Sequence, residues 1–467
     1  MTTTPFLDQL DDLRSACRGT ILLPADTGYD SSRRTWNTAV DHRPAVIVRC
    51  ADTADIRAAV DFARRRSLPV SMRAGGHDVA DHAEVERSVM LDLSPLKAIT
   101  IDPINRHGTV APGVTWTEFD SAAQAHGLAV TGADVSTVGV IGTAMSGGTG
   151  WLQRALGFTC DNVLAADIVL ADGRQVRADA DNHPDLLWAL RGGGGNFGVV
   201  TSLELQLHPI STVYAGTLLY RYDKARAVLS AFRELCLTAP AELSLRATLI
   251  NWPPTAPKRP PMAAITASYL GSAEDARAAL RPLRRIGEPE LDLMRPLSYP
   301  ELQSNTEQAF TEGHGTATGT EWLRALDDRT IDALIELGAK MPTPHTLISI
   351  HQLGGAIRRT SNEATAFSFH EANYHLVVFS GAPGGRQLVA SQRWIADIID
   401  TVQSCSAGGP YIGILDGSSS PARIRSAFHP HAYQRLQRVK AEYDPNNVFR
   451  CNHNIAPAGA QPDSGAR

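Results

Sequence analysis

Three glycine-rich stretches constrain this chain more than any other feature. The first is Arg73-Ala74-Gly75-Gly76-His77-Asp78, entered from the apolar run Pro69-Val70-Ser71-Met72. That run reads as a short buried strand, and the turn after it needs glycine. Glycine lets the backbone approach a ligand closely and present successive N–H groups to a phosphate. Arg73 adds a fixed cation with forked donors, and His77 follows directly, in reach of whatever the loop cradles. The second stretch runs from Gly132 to Trp151 and carries Val135, Ser136, Thr137, Gly139, Gly142, Thr143, Gly147, Gly148 and Gly150. The third is Arg191 to Val200, with four consecutive glycines before Asn196. Physical chemistry alone takes these to a phosphate-rich ligand held by three glycine loops.

Several readings fall on spacing. Gly193-x-Gly195-x-x-Gly198 matches the dinucleotide fingerprint in letters only. That fingerprint needs a strand before it and a helix after it. Here the helical pattern Asp185–Leu190 precedes and the strand pattern Val199–Leu207 follows. His370 and His375 are five apart and lead into a strand, so they do not make the zinc-protease motif, whose histidines are four apart on one helical face. His429-Pro430-His431 reads as a surface loop. No metal site is expected.

The 467 residues suffice for two or three domains. With 43% hydrophobic and 20% charged residues the chain is an ordinary globular one, and a net charge of −5 gives no reason to expect nucleic acid or a membrane surface as partner. The start shows neither a basic nor an apolar leader segment, and no run is long enough to span a bilayer, which makes a cytoplasmic enzyme the expectation. Six scattered cysteines, none in Cys-x-x-Cys, read as buried thiols.

Along the first part, short strands at Ala45–Cys50, Val89–Leu93 and Ala165–Leu170 alternate with helices, one after Asp52 or Thr53 and one at Thr115–His126. The triple arginine Arg64–Arg66 suits a helix C-terminus. From about Ser211 to Ala407 longer strands (Thr217–Tyr222, Leu243–Asn251, Ala263–Tyr269, Thr346–Leu353, Tyr374–Ser380) interleave with helices (Lys224–Leu237, Ala273–Ile286, Gln387–Val402). That pattern predicts a sheet with helices on one face, an α+β domain. A Pro-rich loop is expected at 252–261. The chain then returns to the first domain over 408–457, and 458–467 reads as a disordered tail.

In this order, and with the tail Tyr443-Asp444-Pro445-Asn446-Asn447-Val448-Phe449-Arg450-Cys451-Asn452-His453-Asn454-Ile455, the glycine stretches resemble the vanillyl-alcohol-oxidase-type flavoproteins. More narrowly, they resemble the bacterial branch of the berberine-bridge-enzyme-like oxidases, over nearly the whole chain. The resemblance implies a two-domain α+β flavoprotein. An FAD-binding domain would take residues 1–210 (its PCMH-type core about 40–210) plus the C-terminal return. A helix-covered antiparallel-sheet substrate domain would take 211–407.

It implies FAD bound by Arg73–Asp78, by the Gly132–Trp151 stretch, by backbone of Asn196 to Val200, and by Asn452 and Asn454. It further implies an oxidase. A small natural-product alcohol, sugar, amine or phenol would give hydride to flavin N5, with O2 reduced to H2O2. A flavin-dependent oxygenase and a non-redox cyclase remain the alternatives. The family histidine matching His77 is bonded to the flavin 8α-methyl. A second anchor, a cysteine, is common just before the Thr-Val-Gly segment; Val135 stands there, and Cys160 lies too far along, so one link is expected. For the base, Tyr411 matches a family tyrosine at the start of the returning strand, although Gly413 replaces the usual asparagine two residues on. His351 and Gln352 are alternatives, of which strand alternation lets only one face inward.

Overall fold

The computed structural model describes residues 10–251, 260–305 and 313–460. The stretch before the first glycine loop forms a βαβ unit. Strand Val46–Arg49 leads into helix Thr53–Arg65, which returns as strand Val70–Arg73. Both strands pair in parallel with Val89–Asp92, and Thr20–Leu22 adds an antiparallel edge. Asp52 caps the helix, its carboxylate accepting from the N–H groups of Ala54 and Asp55. Ile56, Ala59, Val60 and Ala63 bury the helix on the sheet. At the other end, Arg64 and Arg65 pair with Asp61 as well as facing the negative end of the dipole.

A second sheet has five antiparallel strands, in the order Ile99–Asp102, His107–Val110, Val199–Gln206, Val163–Val169, Gln175–Ala178. The third glycine loop therefore ends by feeding a central strand. The third sheet is antiparallel and eight-stranded, built from residues between Thr212 and Ala382. Helices Ala225–Thr238, Asp328–Gly338 and Gly385–Val402 cover one face, burying Leu245, Ala247, Ile348, Ile350, Leu376 and Val378 beneath them. The opposite face carries the alternate residues and looks toward the glycine loops. The result is the two-domain α+β arrangement expected.

Local departures have physical causes. The edge strand Gly315–Leu323 was not expected, because Gly and Thr dilute its apolar alternation. The helix expected at Ala273–Ile286 is two pieces, Ala273–Ala279 and Arg281–Arg284, with Pro282 starting the second. Tyr411 opens no strand; it precedes the single 3₁₀ turn Ile412–Ile414. Most of the Pro-rich loop and the end of the tail lie outside the described residues.

The C-terminal return is clasped to the third glycine loop by one buried cation. Lys440 Nζ donates to Asn196 O at 2.6 Å, to Phe449 O at 2.8 Å and to Asp444 Oδ2 at 2.6 Å. Asp444 in turn accepts from the N–H groups of Val448 and Phe449. Both side chains are fully buried. Replacing Lys440 by Met leaves Asp444 as an uncompensated buried charge. Chemical denaturation of Lys440→Met is expected to show a loss of about 3–5 kcal/mol.

Candidate active site

The first two glycine stretches meet backbone to backbone. A Cβ on Gly75 would lie 2.5 Å from Gly139 N, so neither loop could close on the other with a side chain there. Gly76 follows at φ +73°, a left-handed conformation that glycine adopts without strain. Together they deliver His77 to the second stretch, where its Nε2 lies 2.9 Å from Thr137 Oγ1. Trp36 stacks on the imidazole, with ring centroids 5.4 Å apart. Burial pulls the His77 pKa down to about 4, so the ring is neutral near pH 7.

Around this junction lies a cavity of about 340 Å³, lined by Ala74 to Val79, by Asp134, Val135, Gly139, Gly142 and Thr143, and by Thr318, His375, Val377, Phe379, Tyr411 and Gly413 of the later chain. A second cavity of about 240 Å³ is lined by Gly193–Asn196, Gly198–Val200 and Cys451–His453. The two share Met72, Ala74, Asp78, Val79, Gly142 and Gly413 and make one trench.

The trench fits FAD. Its walls are glycine backbone and apolar side chains, and a Cβ on Gly142 would meet only open space. Asn452 Oδ1 is buried without a partner, while its Nδ2 donates to Gly195 O and Phe449 O. A flat, elongated ligand with polar edges, one of them offering an N–H to this acceptor, matches that lining.

The sequence-predicted residues divide. Ala74, Gly75, Gly76, His77, Asp78, Val135, Gly139, Gly142, Thr143 and Tyr411 line the first cavity, and Asn196, Val200 and Asn452 line the second. Arg73, expected as a cation for phosphate, instead pairs with Asp92 at 3.3 Å and donates to Arg34 O. It buttresses the loop from behind. Gly132, Gly147, Gly148, Gly150 and Trp151 also lie off the trench. A Cβ on Gly147 would meet the Phe367 ring at 2.2 Å, and one on Gly150 would meet Gly132 O at 2.3 Å, so their smallness serves packing. Ser136 lies 2.8 Å from Thr117 Oγ1. Asn454 keeps Oδ1 unpartnered but lines neither cavity. Cys160 is buried among Phe158, Trp322 and Phe367 and lines neither cavity.

His351 and Gln352 separate as alternation requires. Gln352 turns under the helices and donates to Cys236 O. His351 faces the other way, in cross-strand register with Arg246 on one side and His375 on the other. Trp322 continues the row and stacks on His375 at 4.3 Å. Sequence reasoning passed over Arg246, His375 and Asp134. The available signal was strand alternation, which puts Arg246, His351 and His375 on the face away from the covering helices. His370, linked to His375 only by the rejected zinc spacing, pairs with Asp161.

Tyr411 is buried, and its hydroxyl accepts from Gly148 N–H at 3.1 Å. Burial raises its pKa, so the phenol stays protonated at neutral pH. Gly413 makes this pose possible: a Cβ there would sit 2.5 Å from the phenol oxygen. The glycine found in place of asparagine is thus the space in which the ring lies.

Residues 44–179 match the family model described as an FAD binding domain, and residues 415–456 match that described as berberine and berberine like. Together with the relatives below, the two matches support a berberine-bridge-enzyme-like flavoprotein of the vanillyl-alcohol-oxidase type. It is 27% identical over 453 residues to an uncharacterized FAD-linked oxidoreductase of Bacillus subtilis, covering 94% of this chain and 97% of that one. It is 27% identical over 452 residues to (R)-6-hydroxynicotine oxidase of Paenarthrobacter nicotinovorans, covering 95% and 98%. In fold it resembles 6-hydroxy-D-nicotine oxidase from Arthrobacter nicotinovorans (TM-score 0.85, 24% identity, 94% and 98% covered). It also resembles xylooligosaccharide oxidase from Myceliophthora thermophila (TM-score 0.85, 22% identity, 97% and 100% covered).

Restoring asparagine at position 413 overpacks the Tyr411 site. Gly413→Asn is expected to cost about 1–3 kcal/mol in denaturant melts. A crystal structure of the variant should show the phenol displaced from Gly148.

Proposed function

We propose that this protein is an oxidase of the bacterial branch, carrying FAD on a single covalent bond to His77. Its substrate is a small natural-product alcohol, sugar, amine or phenol, and its electrons pass to O2, giving H2O2. The observation that carries the reading is His77, a neutral imidazole at the junction of two glycine loops. If Nε2–H donates to Thr137, Nδ1 keeps the lone pair needed to form the bond. Val135 in the cavity wall, with Cys160 packed elsewhere, supports one link rather than two.

Bound FAD supplies a two-electron acceptor. The chain supplies the rest. Ala74–Asp78, Val135 and Gly139–Thr143 would hold the ring system, and Asn196, Val200 and Asn452 the nucleotide end. Trp36, Val377, Phe379 and Ile414 give the first cavity apolar walls that exclude water around a substrate. Tyr411, protonated and held by Gly148, is placed to donate a hydrogen bond to a substrate oxygen as negative charge develops on it. One relative is named for the oxidation of hydroxynicotine, which supports a small-molecule substrate here.

Two outcomes are expected. Anaerobic exposure of the holoenzyme to a panel of alcohols, sugars, amines and phenols should bleach the flavin with at least one class, and air should restore the colour with one H2O2 per turnover. Labelled oxygen in the product, or turnover without bleaching, would replace the oxidase by an oxygenase or a cyclase. Acid precipitation should leave the flavin in the pellet, and digestion should give one flavinylated peptide, containing His77. His77→Ala should release all flavin to the supernatant; an adduct at Cys160 would contradict the single link.

A further inference from the structure

The oxidase reading leaves the substrate class open, and the walls of the first cavity narrow it. In that reading the cofactor takes the side made by the glycine loops, His77 included. The side-chain hydrogen-bonding groups of the cavity can then be taken in turn. Most are engaged within the protein. Thr318 donates to Ile414 O at 2.8 Å, and the hydroxyls of Thr143 and Ser146 donate to Gly139 O and Gly142 O. Asp78 accepts from the N–H groups of Ala80, His82 and Ala83. Asp134 is paired with Arg246.

Among the described lining residues, three remain, and they lie together. Tyr411 accepts from Gly148 N–H, which leaves its own proton to give. His375 lies edge-on to the phenol, with ring centroids 5.3 Å apart. Its Nε2 is 2.8 Å from Thr320 Oγ1, and its Nδ1 is buried without a partner. Thr149 follows Gly148 in the chain and lines the same cavity. The free polar capacity is therefore gathered at one end. Away from that end the wall is Val377, Phe379 and the half-buried Trp36. The indole stands 5.9 Å from the Phe379 ring, tilted by 44°. Its mounting is firm: Trp36 N–H donates to Gly76 O at 2.7 Å, and the next residue, Asn37, donates to Val79 O and accepts from Thr316 N–H.

We propose that Trp36 is a specificity-determining residue, selecting a flat, uncharged aromatic compound whose one polar group is the hydroxyl that is oxidised. The hydroxyl lies at Tyr411 and His375, and the ring lies against Trp36 and Phe379. A sugar carries hydroxyls on every side, and most would be buried against these apolar walls with nothing to bond. An ammonium group would lose its hydration while both carboxylates of the cavity are already engaged. An aromatic ring gives up no hydrogen bond on entering and gains offset or edge contacts with the two rings. In the step, the carbinol C–H bond breaks with its electron pair, which leaves as hydride to oxidised flavin. The O–H proton leaves to solvent, the C–O bond becomes C=O, and O2 takes up the two electrons as H2O2.

This assignment rests on the oxidase reading, and the test keeps the two apart. Flavin-loaded wild type, Trp36→Leu and Trp36→Phe are compared, with rates taken per bound flavin. The probes are benzyl alcohol and 2-naphthylmethanol, the ring-saturated cyclohexylmethanol, glucose and cellobiose as polyols, and benzylamine as the cation. Anaerobic bleaching gives kcat and KM, and the shift of the flavin band before bleaching gives binding without turnover. Wild type should bind and be bleached by the two aromatic alcohols in preference to the polyols and the amine. Trp36→Leu should lower the aromatic-over-saturated ratio of kcat/KM by roughly 10-fold, mostly through KM, as loss of an aromatic contact requires; Trp36→Phe should keep most of it. The intrinsic reactivity of each alcohol cancels in that ratio. Preference of wild type for glucose, cellobiose or benzylamine, or an equal loss on aromatic and saturated alcohols in Trp36→Leu, would overturn the assignment and leave the oxidase intact. The wild-type arm decides the class even if Trp36→Leu fails to fold. A wild type bleached by none of the probes or of the wider panel would sink the oxidase reading itself, while the band shifts would still rank the classes.

Discussion

Contact between the Gly75 and Gly139 backbones is the constraint from which the site follows. With only 2.5 Å between a would-be Cβ and the opposing nitrogen, the two loops can be this close only without side chains. That closeness makes His77 and Thr137 neighbours although sixty residues separate them. It also forms the floor of the first cavity. Both loops must be tied elsewhere, since glycine contributes no packing of its own. Asp92 ties the first through Arg73, and Trp116 ties the second, donating from Nε1 to Thr143 Oγ1 at 3.2 Å. Backbone freedom at the ligand is thus offset by side-chain anchoring one layer back.

Above that floor the eight-stranded sheet works by alternation. One face is apolar and buried under three helices; the other carries Arg246, His351, His375 and Trp322 in a single row across four strands. A one-residue slip of the strands carrying Arg246, His351 and His375 would move the polar residue under the helices and turn a different one toward the first cavity. The covering helices therefore hold the register of the chemistry as well as the core.

How much of this was legible in the sequence varies with the range of the cause. Gly75, Gly76 and His77 were legible because a tight turn after a strand leaves a local signature. The covering helices and most strands were legible from periodicity. The Arg73–Asp92 pair was not legible, because Asp92 lies on a neighbouring strand and nothing local distinguishes an arginine for phosphate from one for a carboxylate. Gly147 and Gly150 look in the sequence like the cavity-lining Gly139 and Gly142 beside them, yet their smallness answers to Phe367 and Gly132. Gly413 was noted as a departure, but its meaning, room for the phenol two residues back, needed the Tyr411 rotamer. Arg246 and Asp134 come from different domains and become a pair only when the sheet closes over the loop.

That pair also carries a cost that the fold has accepted. Burying a guanidinium and a carboxylate together is rarely better for stability than packing two apolar side chains of similar size. Arg246 has almost no exposed surface, and its charge is met by Asp134 and by the face of Trp151. Trp151, at the end of the second glycine stretch, offers its ring face to that arginine of the eight-stranded sheet. An ion pair at the one point where sheet, loop and cavity meet also locks their relative position, because any shift would strand a buried charge. Stability alone would have favoured leucine and methionine there. A charged pair at this point is better understood as the means by which the sheet is registered against the glycine loops.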